Sequence, residues 1–252
     1  MSIRIVVNAD DLGISEAVNE AIFRRLENRT VTSATILSNG PFTAQAIERV
    51  RRFPECSFGV HLNLTEFKPL SANSQVTLSE ILNEQGQFNG NAIREAKIGV
   101  PILRAIYREW CEQIENVMRM GPQPSHLDAH HHVHTIPQML PVLALLRRRY
   151  KINRIRISRN LYTSESLPAP GMLARKRLYN RMLRSVGFKT TGIFTDLETF
   201  VRLCSLKAPR KPIVEVMTHP GSEAHVEESR LLDSDWLTAL AYQATLVSYK
   251  AL

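Results

Sequence analysis

The chain has 252 residues, 44% of them hydrophobic and 22% charged, which is the composition of a globular protein with a sizeable core and excludes a disordered or fibrous chain. Its net charge of +8 admits a polyanionic partner. No zinc-finger, RRM or basic-zipper pattern accompanies that charge, so the basic segments at 147–151 and 175–184 read as solvated helix faces, and no specific nucleic-acid binding is expected. No apolar run reaches the length of a membrane span. The first residues, MSIRIVVNADDLG, lack the layout of a signal peptide. The three cysteines Cys56, Cys111 and Cys204 form no C-x-x-C pair, so a reduced, cytoplasmic setting is expected.

Along the chain, IRIVVNAD (3–10) is an apolar, β-branched run that suits a buried strand. Over 15–27 the residues Ala17, Val18, Ala21, Ile22 and Leu26 recur at helical spacing. A strand is expected at 31–37, a helix over 42–53 after Gly40-Pro41, and a strand at 58–64. The polar stretch 68–100 reads as an irregular insertion over one end of the fold, with a short helix near 77–83. A long helix follows Pro101, which suits a first-turn position. SHLDAH (125–130) reads as a strand and 137–150 as a helix. A strand is expected at 154–158 and a basic helix over 171–186, ended by Gly187. Strand 212–219, a helix near 232–243 and a strand at 246–249 complete the reading. This alternation predicts a parallel sheet with crossover helices, either a barrel or an open doubly wound sheet. No G-x-G-x-x-G or P-loop is present.

Four of these strands end in acids or histidines: Asn8, Asp10 and Asp11; His61 and Asn63; Asp128 and His130; and His219. The C-terminal ends of parallel strands are where such sheets build their sites. Five of the eight histidines fall within SHLDAHHHVH (125–134). On a strand His126, Asp128 and His130 share one face, and on a helix His126 and His130 do. One ion takes three or four protein ligands, so some of the five must have another role. Asp11 can ligate a divalent ion with two imidazoles while Asp10 acts as general base toward a metal-bound water. His219 can stabilise the oxyanion or protonate the leaving group.

VNADDLG (7–13), VTSATILSNG (31–40), GVHLNLT (59–65), SHLDAHHHVH (125–134) and EVMTHPG (215–221) together resemble the YdjC-like carbohydrate deacetylases, in order and over nearly the whole chain. The resemblance implies a single domain over 1–252, an α/β fold of the distorted TIM-like (β/α) barrel type. It implies a metal-dependent hydrolase that removes the N-acetyl group from an N-acetylated amino sugar or short chitooligosaccharide. One divalent metal ion, Mg²⁺ or Zn²⁺, is expected, with Asp11, His61 and His130 as ligands, Asp10 as catalytic base and His219 as second catalytic group. His126, Asp128, His132 and His134 are expected to support the site or contact substrate, and Arg156 is placed with them. Leu12 stands where the family commonly has an aromatic residue, which is expected to reshape a pocket wall. The segments 68–100 and 159–170 carry no family motif and are expected to line the sugar-binding rim. The expected partner is the sugar, and a homodimer is left open. Two other readings compete: a metal phosphoesterase, suggested by His132-x-His134 and the basic surface, and a non-catalytic sugar-binding barrel.

Overall fold

The computed structural model describes residues 2–90 and 92–252; Met1, at the start of the segment read for a signal peptide, and Asn91, inside the expected 68–100 insertion, lie outside the described residues. Among the described residues seven strands form one parallel sheet: β1 (Ile3–Leu12), β2 (Ser33–Ile36), β3 (Ser57–Leu62), β4 (Leu127–Ala129), β5 (Ile193–Asp196), β6 (Ile213–Thr218) and β7 (Ala244–Leu246). The order across the sheet is β4-β3-β2-β1-β6-β5, and β7 pairs with the first residues of β1. The helices are α1 (Glu16–Glu27), α2 (Thr43–Val50), α3 (Ser74–Thr77), α4 (Ala92–Glu95), α5 (Val100–Arg119), α6 (Leu140–Tyr150), α7 (Pro170–Ser185), α8 (Leu197–Cys204) and α9 (Val226–Asp233). Among the described residues no helix is long and apolar enough to cross a membrane.

The sheet curls into a distorted barrel because residues 153–160 bridge its two edges. On one side Leu127 N–H donates to the Arg154 carbonyl and Arg156 N–H to that of Leu127, each at 3.0 Å. On the other, Lys189 N–H donates to Asn153 at 2.7 Å and Asn160 N–H to Phe194 at 3.2 Å. The expected strand at 154–158 is therefore an extended stave with isolated bridges and no ladder. It touches its two neighbours at different heights, so too few consecutive pairs form.

Apolar residues fill the layer between sheet and helices. Ile5, Val7, Ala9, Ile36, Phe58, Val60 and Leu62 meet Ile22, Phe23, Ile47, Ile106, Trp110 and Ile114 there. The opposite, inward face of the strands carries a set of polar residues. Asn8 and Asp10, Ser33 and Thr35, Ser57 and His61, His126 and Asp128, Arg156, and Glu215 are all buried, as the two-residue period of a strand requires. The barrel thus carries a buried polar column that leads up to the C-terminal ends of the strands.

Three further expectations need correction. The helix expected near 232–243 lies earlier, as α9, and residues 234–243 form turns. The apolar spacing that suggested a helix there belongs to Trp236 and Leu240, which reach the core from those turns. The last strand is Ala244–Leu246, and Tyr249 opens a short 3₁₀ turn whose N–H bonds to Ser57 Oγ at 2.8 Å. The short helix expected near 77–83 is replaced by α3 and a 3₁₀ turn at Ser79–Ile81. Strand β5 and helix α8 had no counterpart in the sequence reading. Their signal was present in TDLET: Asp196 caps α8 by accepting from Thr199 N–H at 2.7 Å.

Candidate active site

The site begins where β1 ends. The β1–β2 register shifts between Ala9 and Leu12, and Asp11 adopts φ 66°. A bulge of this kind re-aims side chains at a barrel rim. It sends the neighbouring carboxylates apart: Asp10 points down into the barrel and Asp11 toward its mouth. Gly13 (φ +107°) completes the turn, since a Cβ there would lie 2.9 Å from Thr43 Oγ1. Leu12 is buried in the apolar core and does not line the cavity, so the expected change of a pocket wall does not arise there.

Asp11 Oδ1 lies 2.8 Å from His130 Nδ1 and 3.2 Å from His61 Nε2. His61 comes from β3, and His130 from the first residue after β4. The other nitrogen of His61 contacts Asp128 Oδ1 at 2.7 Å, which fixes the ring. Burial disfavours charge on His61, yet Asp128 and Asp11 outweigh it and raise its pKa to about 10. Burial likewise opposes charge on His130, but hydrogen bonds to Asp11 and Glu66 bring it to about 9. For Asp11 burial is again the largest influence, and the two rings overcome it, holding the carboxyl well below its usual range. A carboxylate oxygen and two imidazole nitrogens thus converge, a donor set that suits a divalent transition ion. Glu66, missed by the sequence reading, stands 3.5 Å from His130 Nε2. It lies one residue beyond the GVHLNLT motif, in a turn organised by Asn63.

Asp10 is gripped from below by Arg156, whose Nη1 and Nη2 each lie 2.6 Å from one of its oxygens. Asn8 Nδ2 donates to the same carboxylate at 2.9 Å. The Arg156 guanidinium also meets Asp128 Oδ2 at 2.9 Å and Glu215 Oε1 at 2.6 Å. Thr35 Oγ1 donates to Asp128 at 3.1 Å, and Tyr249 donates to Glu215. Burial pushes the Glu215 carboxyl up to about 7 in spite of Arg156. Glu215 and Tyr249 also escaped the sequence reading. Their signal was a polar residue at an inward position of an otherwise apolar strand, and an aromatic hydroxyl close to the chain's end.

His219 follows β6. Its backbone N–H donates to Glu228 Oε2 at 2.7 Å, and its Nδ1 lies 3.2 Å from the same oxygen. Burial works against its charged form, but Glu228 and Asp10 raise its pKa above the ordinary histidine value. Asp10, Asp11, His61, His130, His131, His132 and His219 all line one cavity of about 570 Å³, with Gly90 and Arg94 from the 68–100 segment on its rim. A neighbouring cavity of about 610 Å³ shares Arg94 and His132 with it. Residues from 159–170 line a different adjoining cavity, which meets the first at Met217 and His225.

The rest of the histidine segment divides by geometry. His126 lies at the barrel's inner face, stacked on Tyr249 with centroids 3.7 Å apart, and burial holds it neutral, down to about 3. His131 and His132 are both left-handed, at φ 49° and 56°, and this turn lets His130, His131 and His132 reach one cavity. His132 packs edge-on against Phe194. His134 turns inward, its Nε2 on the Arg156 carbonyl at 3.1 Å.

The chain is similar to several known proteins along much of its length. A carbohydrate deacetylase of Halalkalibacterium halodurans is 30% identical over 97% of this chain and 100% of its own length. A chitooligosaccharide deacetylase of Klebsiella pneumoniae is 31% identical over 96% of this chain and 93% of its own. A carbohydrate deacetylase of Geobacillus stearothermophilus is 38% identical over a shorter stretch, 58% of this chain and 57% of that protein. A solved Enterococcus faecalis structure, named for cellobiose-phosphate cleavage, superposes with a TM-score of 0.78 at 25% identity, covering 100% of this chain and 99% of that one. The family model described as YdjC-like protein matches residues 4–247, and the chain belongs to that family.

Proposed function

We propose that the protein is a metal-dependent carbohydrate N-deacetylase that hydrolyses the acetamide of an N-acetylated amino sugar or short oligosaccharide and releases acetate. The observation that carries this reading is the meeting of Asp11, His61 and His130 beside Asp10, with His219 lining the same cavity. The names of the full-length relatives support the substrate class. Asp11, His61 and His130 would hold one divalent ion, and two imidazoles with a carboxylate suit Zn²⁺ better than Mg²⁺. Such an ion, when bound, supplies Lewis-acid polarisation and makes water acidic enough to ionise near neutral pH.

The chain's own residues supply the proton traffic. Asp10 accepts a proton from the water that attacks the acetamide carbonyl. Arg156 fixes the plane of that carboxylate and balances its charge, and Oδ2 keeps a lone pair beyond the one that receives Nη1. His219, oriented by Glu228, donates a proton to the departing amine nitrogen as the C–N bond breaks. Acetate and the free amino sugar result. The paired cavities that share Arg94 and His132 give an oligosaccharide room beside the reacting unit.

The phosphoesterase reading loses its main support, because His134 is turned onto the Arg156 carbonyl and His132 onto Phe194, so the H-x-H pair presents no common donor set. The test is acetate release from N-acetylglucosamine and chitooligosaccharides by the metal-loaded protein, with phosphate release from sugar phosphates run alongside. Acetate release is the expected result. Phosphate release without acetate would overturn the proposal.

A further inference from the structure

We infer that His219, His225 and Glu228 form a second, weaker divalent-metal site, suited to Zn²⁺, whose filling stops the reaction. One donor atom from each of the three lies within 4.8 Å of the other two. The His219 and His225 rings lie together, with centroids 4.2 Å apart and 25° between planes, and both line the same cavity. Glu228 is buried and already holds His219 Nδ1 at 3.2 Å. Ser222 Oγ, 3.0 Å from His225 Nδ1, sets that ring's orientation. Two imidazoles and a carboxylate, with an open fourth position, form a zinc-type set. With nitrogen about 2.0–2.1 Å from zinc, tetrahedral donors stand about 3.4 Å apart, so these need approach one another by at most about 1.5 Å.

Access and charge favour a cation at this point. His225 lies where two cavities meet, so an ion reaches it from solvent without passing between Asp11, His61 and His130. Acids crowd this side. Glu198 and Asp196 line the second of those cavities with Glu228. Arg159 answers Asp196 and Arg230 answers Glu227, which leaves the field around Glu228 and Glu198 negative. Burial and these neighbours push the Glu198 carboxyl upward, in line with such a field. The site is weaker than that at Asp11 because a first divalent ion nearby repels a second.

The blocking effect rests on the reading of His219 as the proton donor. A His219 ring bound to a cation through one nitrogen cannot form the imidazolium that protonates the departing amine. The site itself does not depend on that reading, and two measurements separate them. The protein, already carrying one equivalent of zinc, is dialysed against rising zinc and its metal content measured, as wild type and as His225→Ala. Acetate release is followed over the same zinc range, each protein relative to its own activity at one equivalent. Wild type is expected to take up a second equivalent. Losing an outer-shell partner costs roughly 10–100-fold in metal affinity, so losing a direct ligand in His225→Ala should weaken the second step by at least about tenfold. Asp11→Asn should lose the first equivalent and keep the second. Acetate release should fall as the second equivalent binds, and that fall should move to higher zinc by the same factor in His225→Ala. A wild type that stops at one equivalent, or a second equivalent indifferent to His225→Ala, overturns the site. A second equivalent that needs His225 yet leaves acetate release untouched overturns the block and removes His219 from the donor role.

Discussion

Replacing Arg156 by methionine removes the guanidinium that sits among Asp10, Asp128 and Glu215 at 2.6, 2.9 and 2.6 Å, with all four side chains buried. The three carboxyls are not left equally exposed to the loss. Glu215, already pushed up to about 7, takes a proton and keeps Tyr249. Asp128 keeps His61 at 2.7 Å and Thr35 at 3.1 Å. Asp10 keeps the Asn8 amide at 2.9 Å and, among the described residues, no other hydrogen-bond donor, so it carries most of the cost. Breaking one side of a buried ion pair costs about 3–5 kcal/mol. At this chain length that is a fall in Tm of about 6–20 °C. A buried carboxylate without its cation binds a proton more readily than in the unfolded chain. The variant's folded state therefore gains protons relative to its unfolded state as pH falls, and its deficit against wild type should shrink between pH 8 and pH 5. Adding Asp10→Asn to Arg156→Met should restore part of the stability, because it removes the stranded charge. The assay is urea unfolding of the metal-free proteins, followed by circular dichroism at several pH values. A loss below about 1 kcal/mol, which is the scale of an ordinary surface pair, or a deficit that ignores both pH and Asp10→Asn, would refute this account of the barrel interior.

Gly59→Ala should destabilise the protein by about 1–3 kcal/mol, the usual cost of overpacking. A Cβ there would stand 2.6 Å from His126 Cε1, and that ring is pinned on Tyr249; an unchanged urea midpoint would contradict this. His126→Phe should flatten the pH dependence of stability in acid. Burial holds the ring down to about 3 while the unfolded value is near 6.5, so the folded state binds fewer protons between those values and loses stability as pH drops. The ring's share is up to about 1.4 kcal/mol per pH unit. His134, held down to about 4, acts in the same direction, and Glu215 opposes both up to about 7, so the comparison of variant with wild type isolates His126. Equal slopes for the two proteins from pH 6.5 to 4.5 would count against it.

The residues that meet at the cavity were legible because each ends a strand, and parallel strands bring their C-terminal ends to one place. Asp11, His61, His130 and His219 were singled out in this way, and the structure brings His61 and His130 within 3.2 Å of Asp11 and His219 to the same cavity. The support beneath them was only half legible. Asp128 and His126 stood out because they sit in the histidine-rich motif, whereas Arg156 lies in no motif. The contacts of Glu215, Tyr249 and Thr35 were hidden because their partners are remote in sequence, as with Glu215 and Tyr249, 34 positions apart. Period-two polar residues inside apolar strands were the local sign of that column. Stave 153–160 and strand β7 were misjudged for a related reason. Their form is set by which edges they bridge, and no local propensity records that. The left-handed pair His131 and His132 is likewise imposed by the turn that carries three rings to one cavity. Neither residue type announces it.

The division of labour between the adjacent aspartates is the most direct point of attack. Asp11 faces His61 and His130, while Asp10 faces Arg156. Metal content and acetate release should be measured side by side for wild type, Asp10→Asn and Asp11→Asn. General-base catalysis is typically worth about 10²–10⁴-fold, so Asp10→Asn should lose activity on that scale while holding close to one equivalent of metal. Asp11→Asn should lose the metal and the activity together. Loss of the first equivalent in Asp10→Asn with its retention in Asp11→Asn would reverse the two roles, and full acetate release by both variants would contradict the mechanism.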